Sequence, residues 1–394
     1  MNSQGRYAQR GVSTGKEDVH KAVAALDKGL FPTAFCRVLP DVLGRNAEDA
    51  LLLHADGAGT KSIIAYLAWR ETGDAAPFAG IAQDAAVMNI DDMLCAGAVG
   101  PFVLSSTIGR NKSLVTGEVI SAVINGFHAF AERLGALGIE LVIGGGETAD
   151  LGDLVRTIVV DATCAARLKR AEVIDNAHIR PGDIIVALSS TGKAAYEDKE
   201  NSGIGSNGLT SARHDLLAHR YAAKYPESWA PTTPEHLAYC GPCALDDPVP
   251  GSTLTVGEAL ASPTRTYAPV VNEVLVRGRS RIHGMVHCTG GGQTKCLHFG
   301  GDVRYVKDNL FPVPPLFRLI RQHSGTAWRE MYEVFNMGHR LELYTDAEGA
   351  ALVENAAARR GIDARRVGRV EAGDGRRTLV IAGPEGTLTW ERNL

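Results

Sequence analysis

Four acidic side chains stand at or beside the ends of strand-like segments, or on a helix that would pack against the same sheet. They are Asp56, Asp84, Asp92 and Glu147. Carboxylates without histidine or cysteine partners favour hard cations, and Mg²⁺ is usually shared between carboxylates and the phosphates of a nucleotide. The four acids therefore predict one acidic rim where Mg²⁺ and a nucleotide meet.

The stretch DGAGTK, residues 56–61, shows how such a rim would work. Asp56 would hold the metal ion, while Gly57 and Gly59 would let a phosphate approach the backbone closely. Lys61 would offset phosphate charge. Taken alone, the stretch also fits an ordinary surface turn with a solvated acid and lysine.

Three other motifs fail the requirements of the sites they suggest. GVSTGKE (11–17) has three residues instead of four between its glycines, and a glutamate follows its lysine, so it is not a P-loop. GGGETA (144–149) follows a strand, but a β-rich run replaces the helix that would hold a pyrophosphate. CGPC (240–243) lies in a proline-rich stretch without a second cysteine pair, so we expect a surface or packing role.

The elements that must position the acids alternate between strands and helices, which predicts an α/β fold. In the first half, strands are expected at 50–55, 101–108, 139–147 and 156–165, and helices at 80–98 and 113–137. In the second half, helices are expected near 206–218, 263–278, 314–336 and 346–361. A polar, basic segment at 166–183 separates the halves, so we expect domains at 1–170 and 171–394.

Size and composition agree with two compact domains. The chain has 394 residues, 45% hydrophobic and 22% charged, and no apolar run long enough to span a membrane. Its start lacks the apolar core of a secretory signal, and seven scattered cysteines form no disulfide framework, so a cytoplasmic location is expected. A net charge of −4 argues against nucleic acid as a partner. Two basic spots, 277–283 and 357–366, are expected to be solvated faces.

Seven motifs occur in an order that is specific as a set. They are DGAGTK (56–61), DMLCAGA (92–98), GGETAD (145–150), SNGLTSAR (206–213), SPTRTY (262–267), TGGG (289–292) and EMYEVFNMG (330–338). In this order the sequence resembles the AIR synthetase family, the phosphoribosylformylglycinamidine cyclo-ligases of purine biosynthesis. The resemblance runs from YAQRGVSTG (7–15) to about Val380.

The resemblance implies a two-domain α/β subunit. The sheet of its ATP-binding N-terminal domain closes into a barrel across a homodimer, and the C-terminal α/β domain lies on the substrate side. The implied reaction is the closure of the ring of formylglycinamidine ribonucleotide, a small-molecule substrate. ATP and Mg²⁺ serve to activate the amide oxygen, and the products are aminoimidazole ribonucleotide, ADP and phosphate. No membrane partner is expected.

The resemblance also assigns roles to individual residues. ATP binding falls to Asp56, Gly57, Gly59, Thr60, Lys61, Asp84, Gly145, Gly146 and Thr148. The metal ligands would be Asp56, Asp92 and Glu147. The substrate side would be Ser206, Asn207, Thr264, Arg265, Gly290, Gly291 and Gly292. The catalytic candidates are Lys61, Asp92 and His287. Arg265 suits a ribose phosphate through its planar fork, although a structural ion pair is the alternative.

The sequence departs from the family pattern at several places. Gly205 stands where the family motif H-S-N-G has its histidine, and an insertion around 193–201 precedes it. An apolar segment at 31–44 replaces the glycine-rich loop that usually covers ATP. His287, before TGGG, is a candidate for the missing histidine's role, or else a hydrogen-bonded structural residue.

These departures leave two other functions open. One is another ATP-dependent phosphoryl-transfer enzyme of the same superfamily, such as a thiamine-phosphate kinase. The other is a nucleotide-binding homologue without turnover.

Overall fold

The polypeptide folds around two β-sheets, each covered by helices. The computed structural model describes residues 5–12, 17–23, 25–383 and 386–394. Residues 13–16 of the GVSTGKE stretch therefore lie outside the described part. No helix in the described ranges has the length and apolar character that crossing a membrane requires.

The first sheet and its helices are formed by the N-terminal part of the chain. Its strands are β1 (Val38–Asp41), β2 (Asn46–Gly57), β3 (Phe102–Arg110), β4 (Leu141–Asp150) and β5 (Ile158–Lys169). The helices are α1 (Arg6–Gln9), α2 (Glu17–Val23), α3 (Ser62–Thr72), α4 (Pro77–Cys95) and α5 (Gly117–Ala136). The strand order is β1-β2-β5-β3-β4, and only β3 and β4 pair in parallel.

The second sheet is formed by the C-terminal part of the chain. Its strands are β6 (Ile184–Ser189), β7 (Ile282–His287), β8 (Val303–Lys307), β9 (His339–Thr345), β10 (Ala364–Ala372), β11 (Arg377–Gly383) and β12 (Gly386–Arg392), in the order β12-β11-β8-β10-β6-β9-β7. The helices are α6 (Leu209–Leu216), α7 (Arg220–Lys224), α8 (Val256–Ala261), α9 (Ala268–Gly278), α10 (Pro315–Ser324), α11 (Trp328–Val334) and α12 (Ala347–Ala358).

Helix α4 lies between the two sheets. Pro77 occupies its first turn, where the missing N–H costs no hydrogen bond. Apolar side chains cover nearly all of its circumference, as expected for a helix that is buried on every side. It packs against β2 and β5 of the first sheet and against β7 and α9 of the second unit. Side chains on α4 are therefore shared between the two halves of the protein.

The two-domain α/β fold that the sequence predicted is confirmed, with two differences in the second half. The helix expected over 263–278 begins only at Ala268, because residues 262–267 lie along α4 and bind its carboxylates. The helix expected over 314–336 is divided into α10 and α11, because Gly325 adopts a φ of +66° and ends the first of them. The GGGETA stretch lies within β4 and opens no helix, in agreement with the rejection of a dinucleotide site.

Candidate active site

Two carboxylates of α4 bind the 262–267 segment from the other half of the chain. Asp84 and Asp91 are seven residues apart, so two helical turns bring them onto one face. Asp84 Oδ1 accepts a hydrogen bond of 2.7 Å from the Thr264 backbone N–H, and Asp91 Oδ1 accepts one of 2.7 Å from Thr266 Oγ1. Both acids are fully buried. The SPTRTY motif is thereby fixed along the helix that carries the acidic motifs.

Lys61 lies in this same contact. Its Nζ donates to Asp84 Oδ1 at 2.9 Å and to the carbonyl oxygen of Ser262, and the side chain has no exposed surface. Burial lowers the pKa of Lys61, because desolvation outweighs the attraction of Asp84. In this structure Lys61 therefore joins the two domains. The expectation that it offsets phosphate charge at an open site finds no support here.

Asp92, one residue further along α4, lies between two imidazole rings. His287 Nδ1 is 2.6 Å from Asp92 Oδ1, and His54 Nε2 is 3.3 Å from Asp92 Oδ2. Burial by itself would raise the pKa of Asp92, but the hydrogen bonds from His287 and His54 outweigh it and hold that pKa below its usual range. Asp92 is therefore an ionised carboxylate at the contact between the domains.

The partners of His54 define its protonation state. Asn89 Nδ2 donates to the carbonyl oxygens of Asp56 and Ala162, so Asn89 Oδ1 is left to accept from His54 Nδ1 at 3.0 Å. The other ring nitrogen faces the Asp92 carboxylate, which also accepts. Burial would lower the pKa of His54, but Asp92 raises it to about 9. His54 is thus an imidazolium at neutral pH.

His287 has the opposite pattern of partners. Arg340 Nε donates to His287 Nε2 at 2.9 Å, so that nitrogen carries no proton and Nδ1 donates to Asp92. Arg340 is almost fully buried, and its Nη2 also donates to the carbonyl oxygen of Arg265 and contacts Asp91 Oδ2 at 3.5 Å. A chain of contacts therefore runs from His54 through Asp92 and His287 to Arg340.

The DGAGTK stretch forms an exposed mouth beside this chain of contacts. Asp56 is exposed, and its Oδ1 accepts from the Gly57 N–H at 2.7 Å. Gly59 has a φ of +57°, and the nearest atom to a Cβ built there would be Ser206 O, 4.0 Å away. Thr60 Oγ1 lies 2.9 Å from Thr210 Oγ1. The predicted nucleotide loop therefore contacts the SNGLTSAR motif through Thr60 and leaves open space beside Gly59.

Asp161 adds a second acid to this mouth. It lies opposite Gly57 in the pairing of β2 with β5, and a Cβ atom at Gly57 would come within 1.8 Å of its Oδ1. Burial and the nearby charge of Asp56 raise the pKa of Asp161. Two carboxylate groups thus lie near each other at the end of β2.

Glu147 lies elsewhere on the sheet, with Gly145, Gly146 and Thr148 in β4. Strands β5 and β3 separate β4 from β2, so Glu147 is about 14 Å from the Asp56 strand at the usual spacing of about 4.8 Å. The predicted set of Asp56, Asp92 and Glu147 is therefore not gathered around one point in this single chain.

A different group of metal-ligand types occurs in the second domain. In the described part of the chain, Cys288, His339 and Glu342 are the group whose ligand atoms all lie within 4.8 Å of one another. Lys307 Nζ donates to Glu342 Oε1 at 2.5 Å, so an ammonium group already provides the positive charge there. All four side chains are buried.

The residues expected on the substrate side divide into two groups. Ser206 Oγ lies 2.9 Å from Thr264 Oγ1, and the half-buried Asn207 follows Ser206 at the mouth. Gly290 and Gly291 also have open space beside them. Gly292 is different, because a Cβ there would come within 2.5 Å of the carbonyl oxygen of Tyr332. Gly292 is thus required for packing.

Arg265 does not reach the mouth. Its guanidinium donates to both oxygens of Glu197, at 2.8 and 2.5 Å, and to the carbonyl oxygens of Ser189, Thr191 and Gly192. These five contacts use all the N–H donors of an arginine. The structure therefore favours the structural ion pair over contact with a ribose phosphate.

Family models match the chain over most of its length. The model described as "AIR synthase related protein, N-terminal domain" matches residues 36–168, and that described as "AIR synthase related protein, C-terminal domain" matches residues 180–380. The chain belongs to the AIR synthase related family. The resemblance drawn from the seven motifs is thereby confirmed.

Several known proteins are similar over nearly the whole chain. The phosphoribosylformylglycinamidine cyclo-ligase of Methanocaldococcus jannaschii is 30% identical over 92% of this chain and 91% of its own length. The protein of the same name from Myxococcus xanthus is 30% identical over 86% of this chain and 85% of its own length.

Two solved structures share the fold of this AIR synthase related chain. Thiamine-monophosphate kinase from Stenotrophomonas maltophilia has a TM-score of 0.53 at 14% identity, over 94% of this chain and 96% of that chain. E. coli HypE, a hydrogenase maturation protein, has a TM-score of 0.50 at 17% identity, over 80% of this chain and 78% of that chain. At these identities the likeness concerns the fold alone.

Sequence reasoning missed three residues of the site: His54, Asp91 and Arg340. Two of them carry a signal in their spacing, since His54 is two residues before Asp56 in a strand and Asp91 is seven residues after Asp84 in a helix. Arg340 carries no such signal. It is nevertheless a neighbour of Gly205, because a Cβ built at Gly205 would be in ordinary van der Waals contact with Arg340 Cδ, at 3.4 Å. Arg340 thus lies beside the position where the family has a histidine.

Proposed function

We propose that this chain catalyses the ATP- and Mg²⁺-dependent ring closure of formylglycinamidine ribonucleotide to aminoimidazole ribonucleotide. The carrying observation is the 2.6 Å contact between Asp92 and His287. It joins the acidic motif of the first domain to His287, two residues before TGGG, in the second. Asp92 of the DMLCAGA motif and His287 near the TGGG motif therefore meet, although they lie 195 residues apart in the chain. The names of two relatives that are 30% identical over most of the chain support the same reaction.

The chemistry of ring closure explains why such a site is needed. An amide oxygen is a poor leaving group, and ATP would supply a phosphoryl group to it so that the substrate's own nitrogen can displace phosphate. The protein must then mostly hold the groups in line and neutralise charge. His287 and Asp92 orient each other for this task, since each fixes the hydrogen-bonding state of the other.

The residues at the mouth fit a nucleotide with a hard cation. Asp56 and its neighbour Asp161 offer carboxylate oxygens, the ligand type that Mg²⁺ takes. The open space beside Gly59 would admit a phosphate close to the backbone. We propose that Asp56, Gly57, Gly59 and Thr60 hold the magnesium-bound phosphates.

The roles proposed for the other predicted residues are supported to different degrees. Asp92 stays a proposed metal ligand, although two imidazoles already use its oxygens. Glu147, Gly145, Gly146 and Thr148 on β4 would act on a more distant part of the nucleotide. Lys61 and Asp84 would act by fixing the 262–267 segment.

We also propose a homodimer in which the first sheet is covered by a second copy. Its outer surface exposes Leu53, Val103 and Val142 to 56%, 49% and 44%. They lie on β2, β3 and β4, so the apolar surface extends across the sheet, and large exposed patches of this kind usually mark an interface. Domain boundaries at 1–170 and 171–394, a small-molecule substrate and a cytoplasmic location belong to the same proposal.

The deciding experiment supplies formylglycinamidine ribonucleotide with Mg-ATP and follows ADP and aminoimidazole ribonucleotide together. Equal amounts of both products are expected. ADP formed only with another acceptor, such as thiamine phosphate, would point to a different transferase of the superfamily. Nucleotide binding without any turnover would point to an inactive homologue. Either result would overturn the proposal.

A further inference from the structure

The basic stretch RGRSRIH, residues 277–283, contains three arginines in different settings. Arg277 pairs with Glu273 at 3.4 Å, and Arg281 pairs with Asp346 at 2.8 Å and with Glu348. Arg279 instead donates to two backbone carbonyl oxygens, those of Gly97 at 3.0 Å and Glu172 at 2.6 Å. Within the described ranges, no carboxylate lies in ion-pair contact with Arg279. The carboxylate of Glu172 acts on the charge of Arg279 from nearby but forms no direct ion pair with it.

Arg279 lines a cavity of about 570 Å³ at the boundary between the two domains. The other polar side chains of the lining are His178, Arg180, Ser280 and His283. The rest of the wall is aliphatic, from Ala171, Val173, Ile174, Ala177 and Ile282, and among the residues that the structure describes no acidic side chain is part of the lining. The cavity thus combines two guanidinium groups and two imidazoles with an apolar wall.

The second guanidinium, of the largely exposed Arg180, contacts one neighbouring imidazole. Arg180 Nη2 lies 3.2 Å from His283 Nε2, and His283 Nδ1 lies 2.8 Å from Asp183 Oδ1. Because arginine can only donate, His283 carries its proton on Nδ1 and accepts from Arg180. Asp183 is the acid closest to this pair, with Arg180 Nε at 3.9 Å, a long contact that leaves the other donors of Arg180 available.

His178 adds a donor of another kind. In the described part of the chain its imidazole has no recorded hydrogen-bond or ion-pair partner, although its backbone N–H closes a turn onto Asp175 O. Its ring can therefore turn toward a ligand without breaking an existing contact. The 166–183 segment that carries His178 and Arg180 links the two domains.

We propose that this cavity binds a small molecule that carries a phosphate monoester on an apolar or planar body. Guanidinium groups recognise phosphate oxygens through paired hydrogen bonds, and two arginines with a histidine supply enough donors for one phosphate. The volume lies in the range of ordinary small-ligand sites, and the aliphatic wall suits the rest of the molecule. Arg279 is held by two backbone carbonyl oxygens, which lowers the entropic cost of binding.

The test uses the resonances of the histidine side chains, which report on each site separately. Isotope-labelled full-length protein is titrated with AMP and with inorganic phosphate at constant ionic strength set with NaCl. His178 and His283 are assigned by the loss of one signal each in His178→Gln and His283→Gln. His54 and His287 report binding at the active site, so the two sites are told apart.

We expect the His178 and His283 signals to shift and saturate, with AMP binding several-fold more tightly than inorganic phosphate. Arg279→Gln should weaken AMP binding at these two signals by at least about tenfold, which corresponds to ~1.4 kcal/mol. Arg277→Gln is the matched control, since it lies in the same stretch but pairs with Glu273, and it should change the affinity less than about twofold.

Three results would overturn the proposal. The first is that neither probe gives a saturating shift at His178 and His283 when the NaCl control is subtracted. The second is that Arg279→Gln and Arg277→Gln weaken binding equally, which would indicate only general charge screening. The third is that AMP binds no more tightly than phosphate, which would remove the organic body from the proposed ligand. None of these depends on the ring-closure assay.

Discussion

Nδ1 of His287 lies 2.6 Å from Oδ1 of Asp92, and this hydrogen bond crosses from the second domain to the first. Arg340 fixes the direction of the bond by donating to the other ring nitrogen. The ring is therefore held in one tautomer, as is common where a histidine must be oriented for chemistry. A shift of one domain relative to the other would therefore change this hydrogen bond.

Asp92→Asn tests whether the contact matters for turnover. The amide keeps the size of the side chain but removes the charge that both imidazoles require, so we expect kcat to fall by about 100-fold or more because the reacting groups lose their alignment. ADP release is measured together with the circular dichroism spectrum. Asp27→Asn, at an exposed acid paired with Arg37, is the control and should keep normal activity. A near-normal rate in Asp92→Asn would contradict the site assignment.

The pair of His54 and Asp92 predicts a specific dependence of stability on pH. The pKa of His54 is raised to about 9 from 6.5, so its contribution is complete below pH 6.5 and is lost as the pH rises through about 9. The lowered pKa of Asp92 places the acid-side loss below its usual range. The free energy of unfolding in urea should therefore fall between pH 6.5 and 9, by ~3 kcal/mol at most.

His54→Gln is the comparison for that pH series. Glutamine can still contact Asn89 but does not titrate, so the slope between pH 6.5 and 9 should largely disappear. The pH dependence should stay as it is in His323→Gln, at an exposed histidine near the end of α10. Equal slopes in wild type and His54→Gln would show that another group titrates.

Lys61→Met tests the position of Lys61 between the domains. Methionine has a similar length but leaves the buried Asp84 without its cation, so we expect a loss of about 3–5 kcal/mol in the free energy of unfolding. Lys224→Met removes an exposed ion pair with Glu71 and should cost less than about 1 kcal/mol. If Lys61→Met kept full stability and only raised the KM for ATP, Lys61 would be a phosphate ligand after all.

Arg340→Lys tests the control of the His287 tautomer. A lysine keeps the charge, but its compact ammonium group lacks the fork that serves His287 and the Arg265 carbonyl together. We expect the ¹⁵N signals of His287 to change from the Nδ1–H tautomer to a mixture, with kcat reduced about tenfold or more. Unchanged ring signals in a folded Arg340→Lys protein would refute this role for Arg340.

The sequence predicted the order of the elements and the location of the mouth better than the partners of single side chains. Asp56, Gly59 and Thr60 lie where a strand-end loop was expected, because local spacing determines such positions. Arg265 and Lys61 are different. They bind groups far away in the chain, and sequence spacing holds no information about such partners. In the structure, Arg265 therefore holds a loop in place through hydrogen bonds. Lys61 lies in the contact between the domains.

The same limit explains the missed residues. His54 and Asp91 repeat the spacing of acids that were already recognised, so strand and helix periodicity would have included them. The role of Arg340 can be recognised only from the three-dimensional structure, which places it beside Gly205 and His287. Glu147 shows the reverse case, because its motif was recognised but strand order separates it from Asp56.

The burial of charge on both sides of α4 restricts how the protein can move. A hinge motion that separated the domains would expose four buried side chains to solvent and break their ion pairs. They are Lys61, Asp84, Asp91 and Arg340. Separating such buried ions is costly, so wide opening of the molecule would be a rare event. Entry and exit of small molecules then depend on local rearrangement of loops such as 289–292, while the buried pairs of Lys61, Asp84, Asp91 and Arg340 stay intact.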